Sequence, residues 1–319
     1  GLSAPDGLKL EEDGPVTIRA GAEWLPLEAS LDIEVGSALD FSSIVPRHKS
    51  AGELGRVIVN PQGKFAFERR PQTPARFPEP FRGVVEFRNV SFRYPGADEN
   101  VLCNINFTAR PGQTTALIGS TGSGKSTIVN LVPRFYDVTE GQILVDGVDI
   151  RDVTQHDLRA KIGYIPQKST LFSGTIESNL RYADENASQD VIDQAAAIAQ
   201  VSEFIDSNTA GLELEIAQGG ANVSGGQKQR LSIARALVKR APIYIFDDSF
   251  SALDFKTDAA LRRALKENAA NSALLIVTQR VATVMDAEQI VVLDEGEVAG
   301  IGTHPELMKN CETSREIAL

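Results

Sequence analysis

Residues 114–126 read TTALIGSTGSGKS. TTALIGS (114–120) is an apolar run of strand character that enters a glycine-rich loop, and Lys125 to Phe135 then follows a helical pattern. Gly119, Ser120, Thr121, Gly122, Ser123, Gly124, Lys125 and Ser126 fit GxxxxGK[ST] in full, with Thr127 directly after, and the strand-then-helix context is the one this motif requires. The physics is specific. Glycines let the backbone wrap a phosphate and aim several N–H groups at it, while the helix N-terminus adds favourable partial charge. Lys125 neutralises terminal phosphates, and the Ser126 hydroxyl suits Mg²⁺, which prefers hard oxygen donors. The stretch therefore reads as a nucleoside triphosphate site.

Working outward, the sequence predicts an α/β core. VVEFRNVSFRY (84–94) reads as a pair of strands, and ASQDVIDQAAAIAQVSEFID (187–206) is helical in period. GQKQRLSIARALVKR (226–240) is a second amphipathic helix with basic residues in its last turn, which suits the helix dipole. It leads into IYIFDDSFSALD (243–254), an apolar strand ending in Asp247 and Asp248. ALRRALKENAA (260–270) is another helix, and ALLIVTQ (273–279) another strand. Strands alternating with helices indicate a largely parallel sheet.

Upstream the character changes. PQTPARFPEP (71–80) holds four prolines and reads as an extended linker, set at 71–82. Before it, VTIRA (16–20), SLDIEV (30–35) and GRVIVNPQGKFAFE (55–68) suggest short strands, with a turn at Asn60-Pro61-Gln62-Gly63. Residues 1–70 thus form a small β-rich unit and residues 83–319 the α/β domain. His48, between Arg47 and Lys49, reads as a surface residue.

The 319 residues carry a net charge of -11, which argues against general affinity for nucleic acid. Cys103 and Cys311 stand far apart with no CxxC, as in a reduced cytosolic protein. No stretch is long and apolar enough to span a bilayer, and the chain begins at Gly1 rather than Met, as a processed or excised segment would.

The later motifs choose among P-loop proteins. Val223-Ser224-Gly225-Gly226-Gln227 precedes a helix and resembles the LSGGQ signature of the ATP-binding cassette (ABC) superfamily. The P-loop, Gln167 in YIPQ (164–167), VSGGQ, the strand ending at Asp247 and SALD (251–254) follow in the family's order. The resemblance covers residues 84–310 and implies a P-loop NTPase core joined to an antiparallel β subdomain and a helical subdomain. It also implies two such domains meeting head to tail with two ATPs between them, Ser224, Gly225, Gly226 and Gln227 serving the partner's γ-phosphate. By the same resemblance Tyr94 stacks on adenine and Val101 flanks the ribose. Ser126, Gln167 and Asp247 attend Mg²⁺, Gln167 also facing the membrane partner. LFSGTIESNL (171–180), DGVDIRDV (146–153) and GTHPEL (302–307) resemble exporter domains, whose LFxGTIxxN region meets coupling helices of a transmembrane domain at the cytoplasmic face of the membrane. The β-like N-terminal stretch has no counterpart beside such a domain, and is expected to be a foreign or fused segment rather than an unusual architecture.

Besides Val223 for the leucine of the signature, three positions depart from the family pattern. Asp248 stands where the family has the glutamate that polarises the attacking water. Its stem is shorter by one methylene, about 1.5 Å of reach, and misplacement by about 1 Å can cost on the order of 100-fold in rate. Gln279 stands where the switch histidine belongs; glutamine donates a hydrogen bond but carries no proton or positive charge near neutral pH. Gln218 likewise replaces a glutamate before the signature. Together these resemble the degenerate-site half of a heterodimeric exporter, whose partner chain supplies glutamate and histidine. A homodimer hydrolysing slowly at both sites, an ATP-gated clamp with little turnover, and a soluble cassette protein of DNA repair or translation are the other readings.

Overall fold

The computed structural model describes residues 73–280 and 284–318, and before residue 73 only the backbone of short strands. The chain divides into two compact units, one holding Gly1–Arg76 with Arg151–Thr154 and the other Phe77–Ile150 with Gln155–Leu319.

Among its described residues, the first unit contains two antiparallel three-stranded sheets. One is Leu8–Lys9, Thr17–Ala20 and Glu23–Pro26, and the other Ala38–Asp40, Arg56–Val59 and Phe65–Phe67. VTIRA and the two halves of GRVIVNPQGKFAFE form strands, the halves pairing Val57 with Phe67. SLDIEV, the Asn60–Gly63 turn and His48 lie outside the described residues.

The second unit is built on a six-stranded sheet. Its order is Ile162–Ile165, Ile243–Asp247, Ala273–Val277, Thr114–Gly119, Gln289–Asp294 and Glu297–Gly302. Every neighbouring pair runs parallel except the last, which is a hairpin. Parallel sheets need both faces covered, which is why Ile243–Asp247 and Ala273–Val277 are near-continuous apolar runs buried at every position. Helices Ile176–Arg181, Gln189–Ile198 and Gly225–Val238 join Phe246 and Phe250 in one apolar core through Leu180, Ile192 and Leu231. A separate antiparallel sheet carries Val148–Asp149, Glu140–Val145, Val85–Phe92 and Leu102–Ala109.

Three segments differ from their sequence patterns. VVEFRNVSFRY is a single strand, not a pair; the polar Arg88-Asn89 break is a bulge, with Asn89 at φ 48° and its N–H donated to Asn106 Oδ1 at 2.8 Å. The helix opening at Lys125 stops at Leu131, because Pro133 has no N–H to continue the ladder and Arg134 turns to φ 57°. The 187–206 pattern is two helices, Gln189–Ile198 and Ser202–Asp206, broken where Gln200 adopts φ 58°.

Phe246 is fully buried, with its ring 5.2 Å from Phe250 and 6.4 Å from Tyr244. Phe246→Ala is expected to remove about 3–5 kcal/mol of stability, read as a lower urea midpoint at unchanged slope.

Candidate functional site

All the parallel strands deliver their C-terminal ends to one edge of the sheet, the edge where ligands sit in open α/β folds. Three of these ends converge. Thr114–Gly119 runs into the phosphate loop, Ile243–Asp247 ends in the acidic pair, and Ala273–Val277 leads to Thr278 and Gln279.

The loop closes on itself. Lys125, on the first turn of its helix, donates from Nζ to the carbonyl oxygens of Gly119 at 2.8 Å and Ser120 at 2.7 Å. Burial holds its ammonium below the ordinary lysine range, against the pull of the Asp248 and Asp247 carboxylates. Gly124 sits at φ +97°, and a Cβ there would lie 2.5 Å from Leu102 Cδ2, so the turn requires glycine.

The acidic pair divides its work. Asp247 is buried, and its Oδ1 accepts from the Ser126 hydroxyl at 2.8 Å. Burial pushes its carboxyl upward, while hydrogen bonds from Ser126 and Tyr164 pull it down. Asp248 is half-buried and lies in the left-handed region at φ 47°. Its N–H donates to Val277 O at 3.0 Å and its carbonyl accepts from Ser251 Oγ at 2.8 Å, so the backbone is pinned from both sides. Its Oδ2 accepts from Gln167 Nε2 at 3.1 Å.

A cleft of about 380 Å³ brings Val101, the loop residues Thr121, Gly122 and Gly124 to Thr127, Gln167, Asp248 and Gln279 together. Ser126 and Gln167 line this cleft, and Asp247 stands behind Ser126, bonded to its hydroxyl; a hydroxyl, a carboxylate and an amide are the hard oxygen donors that Mg²⁺ takes. Tyr94 stands beside the cleft rather than in its lining. Its hydroxyl is 2.9 Å from Thr127 Oγ1, and its ring meets Phe92 and Tyr136 edge-on at 4.8 and 5.2 Å.

Ser224–Gln227 is not part of this cleft. Ser224 caps the helix Gly225–Val238 with a reciprocal capping box, its Oγ accepting from Gln227 N at 3.2 Å and its N–H donating to Gln227 Oε1 at 2.9 Å. Ser224 and Gly225 are exposed, so this helix start faces outward.

Two participants escaped the motif reading. Tyr164, in the YIPQ strand, places its phenol 2.7 Å from Asn130 Oδ1 and 3.4 Å from Asp247 Oδ2. Strand alternation puts its side chain on the opposite face from its neighbours, but its partners are far away in sequence, so no local signal marks it. Arg280, next to Gln279, donates to the carbonyls of Ser251 at 2.8 Å and Leu253 at 3.0 Å, and so ties the switch segment to SALD.

Fold and site define a P-loop nucleotide-binding protein. Residues 102–251 match the ABC transporter family. The chain is 40% identical over 315 residues to an uncharacterised ABC transporter ATP-binding protein of Mycobacterium tuberculosis, covering 98% of this chain and 53% of that protein. An ATP-dependent lipid A-core flippase of Pseudomonas aeruginosa is 44% identical over 227 residues, which are 71% of this chain and 38% of the flippase. A bacterial Atm1-family ABC exporter solved with ATP bound superposes with a TM-score of 0.73 at 39% identity, over 77% of this chain and 43% of the exporter. The chain spans about half the length of the curated relatives it matches. It carries an ABC transporter nucleotide-binding domain. Among the described residues, no helix is long and apolar enough to cross a membrane.

Lys125→Ala removes the charged donor at the centre of the loop. Since hydrogen bonds to charged groups are worth about 1.5–3 kcal/mol, ATP affinity should fall about 10- to 100-fold in an equilibrium titration. Unchanged affinity would contradict the loop's assignment as the phosphate cradle.

Proposed function

We propose that the chain is the ATP-binding and ATPase subunit of an ABC exporter, acting at the cytoplasmic face of a membrane, and that its own ATP site is degenerate. The observation that carries the reading is the cleft itself. It gathers the phosphate loop, Gln167, Asp248 and Gln279, while the signature helix start faces away from it. An ATP held there is therefore left with an open side, and Ser224–Gln227 is left with no nucleotide of its own chain to serve. Two domains meeting head to tail answer both needs, with each signature completing the other's site.

In this reading Gly119 to Thr127 cradle the phosphates, Tyr94 offers an aromatic face to adenine, and Val101 flanks the ribose. Ser126 and Gln167 hold Mg²⁺ with Asp247 behind them, and the ion offsets charge on the terminal phosphates. Lys125 turns from the loop carbonyls to the phosphates. The remaining question is who activates water. Asp248 has the charge for that role but a short reach, and its Oδ2 is engaged by Gln167. Gln279 lines the phosphate end without a titratable proton. ATP at this site is bound firmly and turned over slowly. VSGGQ completes the competent site, whose phosphate loop, glutamate and histidine lie on a different partner chain.

The membrane side is read from LFSGTIESNL. Phe172 is 46% exposed and Tyr182 69% exposed, with their rings 4.6 Å apart. Arg235 lies over Phe172 at 5.1 Å, so an apolar, cation-backed face is ready for a transmembrane coupling helix. The names of the exporter and flippase relatives support this reading. Residues before 80 fall largely within the alignment to the mycobacterial protein, which favours a segment native to such proteins over a foreign one.

The test is ATP turnover by the chain alone, then mixed with a second cassette carrying glutamate and histidine. Slow turnover alone and a marked rise in the mixture is the expected result. Brisk turnover alone sinks the degenerate site; none in any mixture favours a clamp that only binds. Asp248→Glu combined with Gln279→His is expected to raise hydrolysis at this chain's own site by about 10- to 100-fold, measured in single-turnover assays.

A further inference from the structure

Tyr164 is a polar side chain that no motif requires. It sits on the edge strand Ile162–Ile165, in parallel register opposite Ile245, two residues before Asp247 on the neighbouring strand. Its phenol donates to Asn130 Oδ1 at 2.7 Å, and Asp247 Oδ2 lies 3.4 Å from the same oxygen. Asn130 belongs to the helix that opens at Lys125. The Phe135 ring meets Tyr164 edge-on at 5.3 Å and 74°, and the Arg159 guanidinium covers Phe135 at 5.5 Å.

The two oxygens of Asp247 thus have different neighbours. Oδ1 is fixed by the Ser126 hydroxyl, and Oδ2 faces the phenol. A carboxylate held at one oxygen still swings about its last torsion, which is broad and roughly two-fold. A donor at the second oxygen removes that freedom. Groups that hydrogen-bond a metal site's carboxylate orient it and tune its affinity for the ion.

We propose that Tyr164 is a positioning residue for the metal site: its phenol, set between Asn130 and Asp247, fixes the plane of the Asp247 carboxylate toward Mg²⁺. This rests on the reading that the cleft takes a Mg²⁺–nucleotide. One phenol proton serves two acceptors. Asn130 holds it at the shorter distance, and Asp247 competes for it as the stronger, charged acceptor. The effect belongs to the metal-dependent part of nucleotide binding, because the bonds by which Lys125 closes the phosphate loop, to Gly119, Ser120 and Ser123, involve neither Tyr164 nor Asn130.

The experiment measures ATP affinity of the full chain in excess Mg²⁺ and in EDTA, for the parent, Tyr164→Phe and Asn130→Ala. Tyr164→Phe keeps the ring that packs on Phe135 and loses only the hydroxyl. Its affinity in EDTA should match the parent's, while the gain on adding Mg²⁺ should shrink about tenfold. Asn130→Ala leaves the phenol a single acceptor, Asp247, and should keep the full gain. Mn²⁺ in place of Mg²⁺ gives a second readout, as a changed electron-spin spectrum of the bound ion in Tyr164→Phe. Equal Mg²⁺ gains in parent and Tyr164→Phe would overturn the proposal. So would a Tyr164→Phe chain that loses affinity equally with and without the ion, since that marks a role in folding only. A parent that binds ATP in neither condition would instead refute the nucleotide cleft.

Discussion

Everything in the second unit depends on the pairing of Thr114–Gly119 between two parallel neighbours. Ala273–Val277 binds one side of this strand and Gln289–Asp294 the other, so its last residue, Gly119, is fixed in space before the loop begins. A phosphate loop built mostly of glycine, serine and threonine has little packing of its own. Its shape comes from what anchors its ends: a buried strand behind and a buried helix ahead, with Ile128, Val129 and Leu131 fully inaccessible. Lys125 then closes the loop from inside, donating to the carbonyls of Gly119 and Ser120.

The same sheet sets which chemistry is near and which is far. Parallel strands all end on one side, so Asp247, Asp248 and Gln279 reach the loop without any long excursion. The signature helix packs its apolar side on Phe246 and Phe250, and so presents its N-terminus elsewhere. A single chain therefore carries its phosphate loop and its VSGGQ helix start apart from one another.

Much of this was legible in the sequence, for identifiable reasons. The largely parallel core was legible because apolar strands such as IYIF and ALLIV alternate with helices; the order of the strands was not. The phosphate loop was legible because few sequences combine its glycine spacing with strand and helix flanks. Element ends were not. Arg88-Asn89 looks like a turn, but a bulge accommodates the same two polar residues without breaking the strand. The period of residues 187–206 runs through Gln200, and nothing local announces that Gln200 adopts φ 58°. Tyr164 is not marked by the sequence because its partners, Asn130 and Asp247, are 34 and 83 residues away. The family resemblance implies a base-stacking role for Tyr94; the structure adds its bond to Thr127 and its aromatic neighbours.

The backbone at Asp248 has a consequence of another kind. It adopts φ 47°, a region that asparagine and aspartate enter more readily than other side-chain-bearing residues. Its conformation is held by main-chain bonds to Val277 and Ser251, with no demand on the carboxylate. A longer acid at this position gains reach and pays for it in local strain. The main chain here can thus keep its shape whichever acid stands at the position, so shape and chemistry are separable at this one residue.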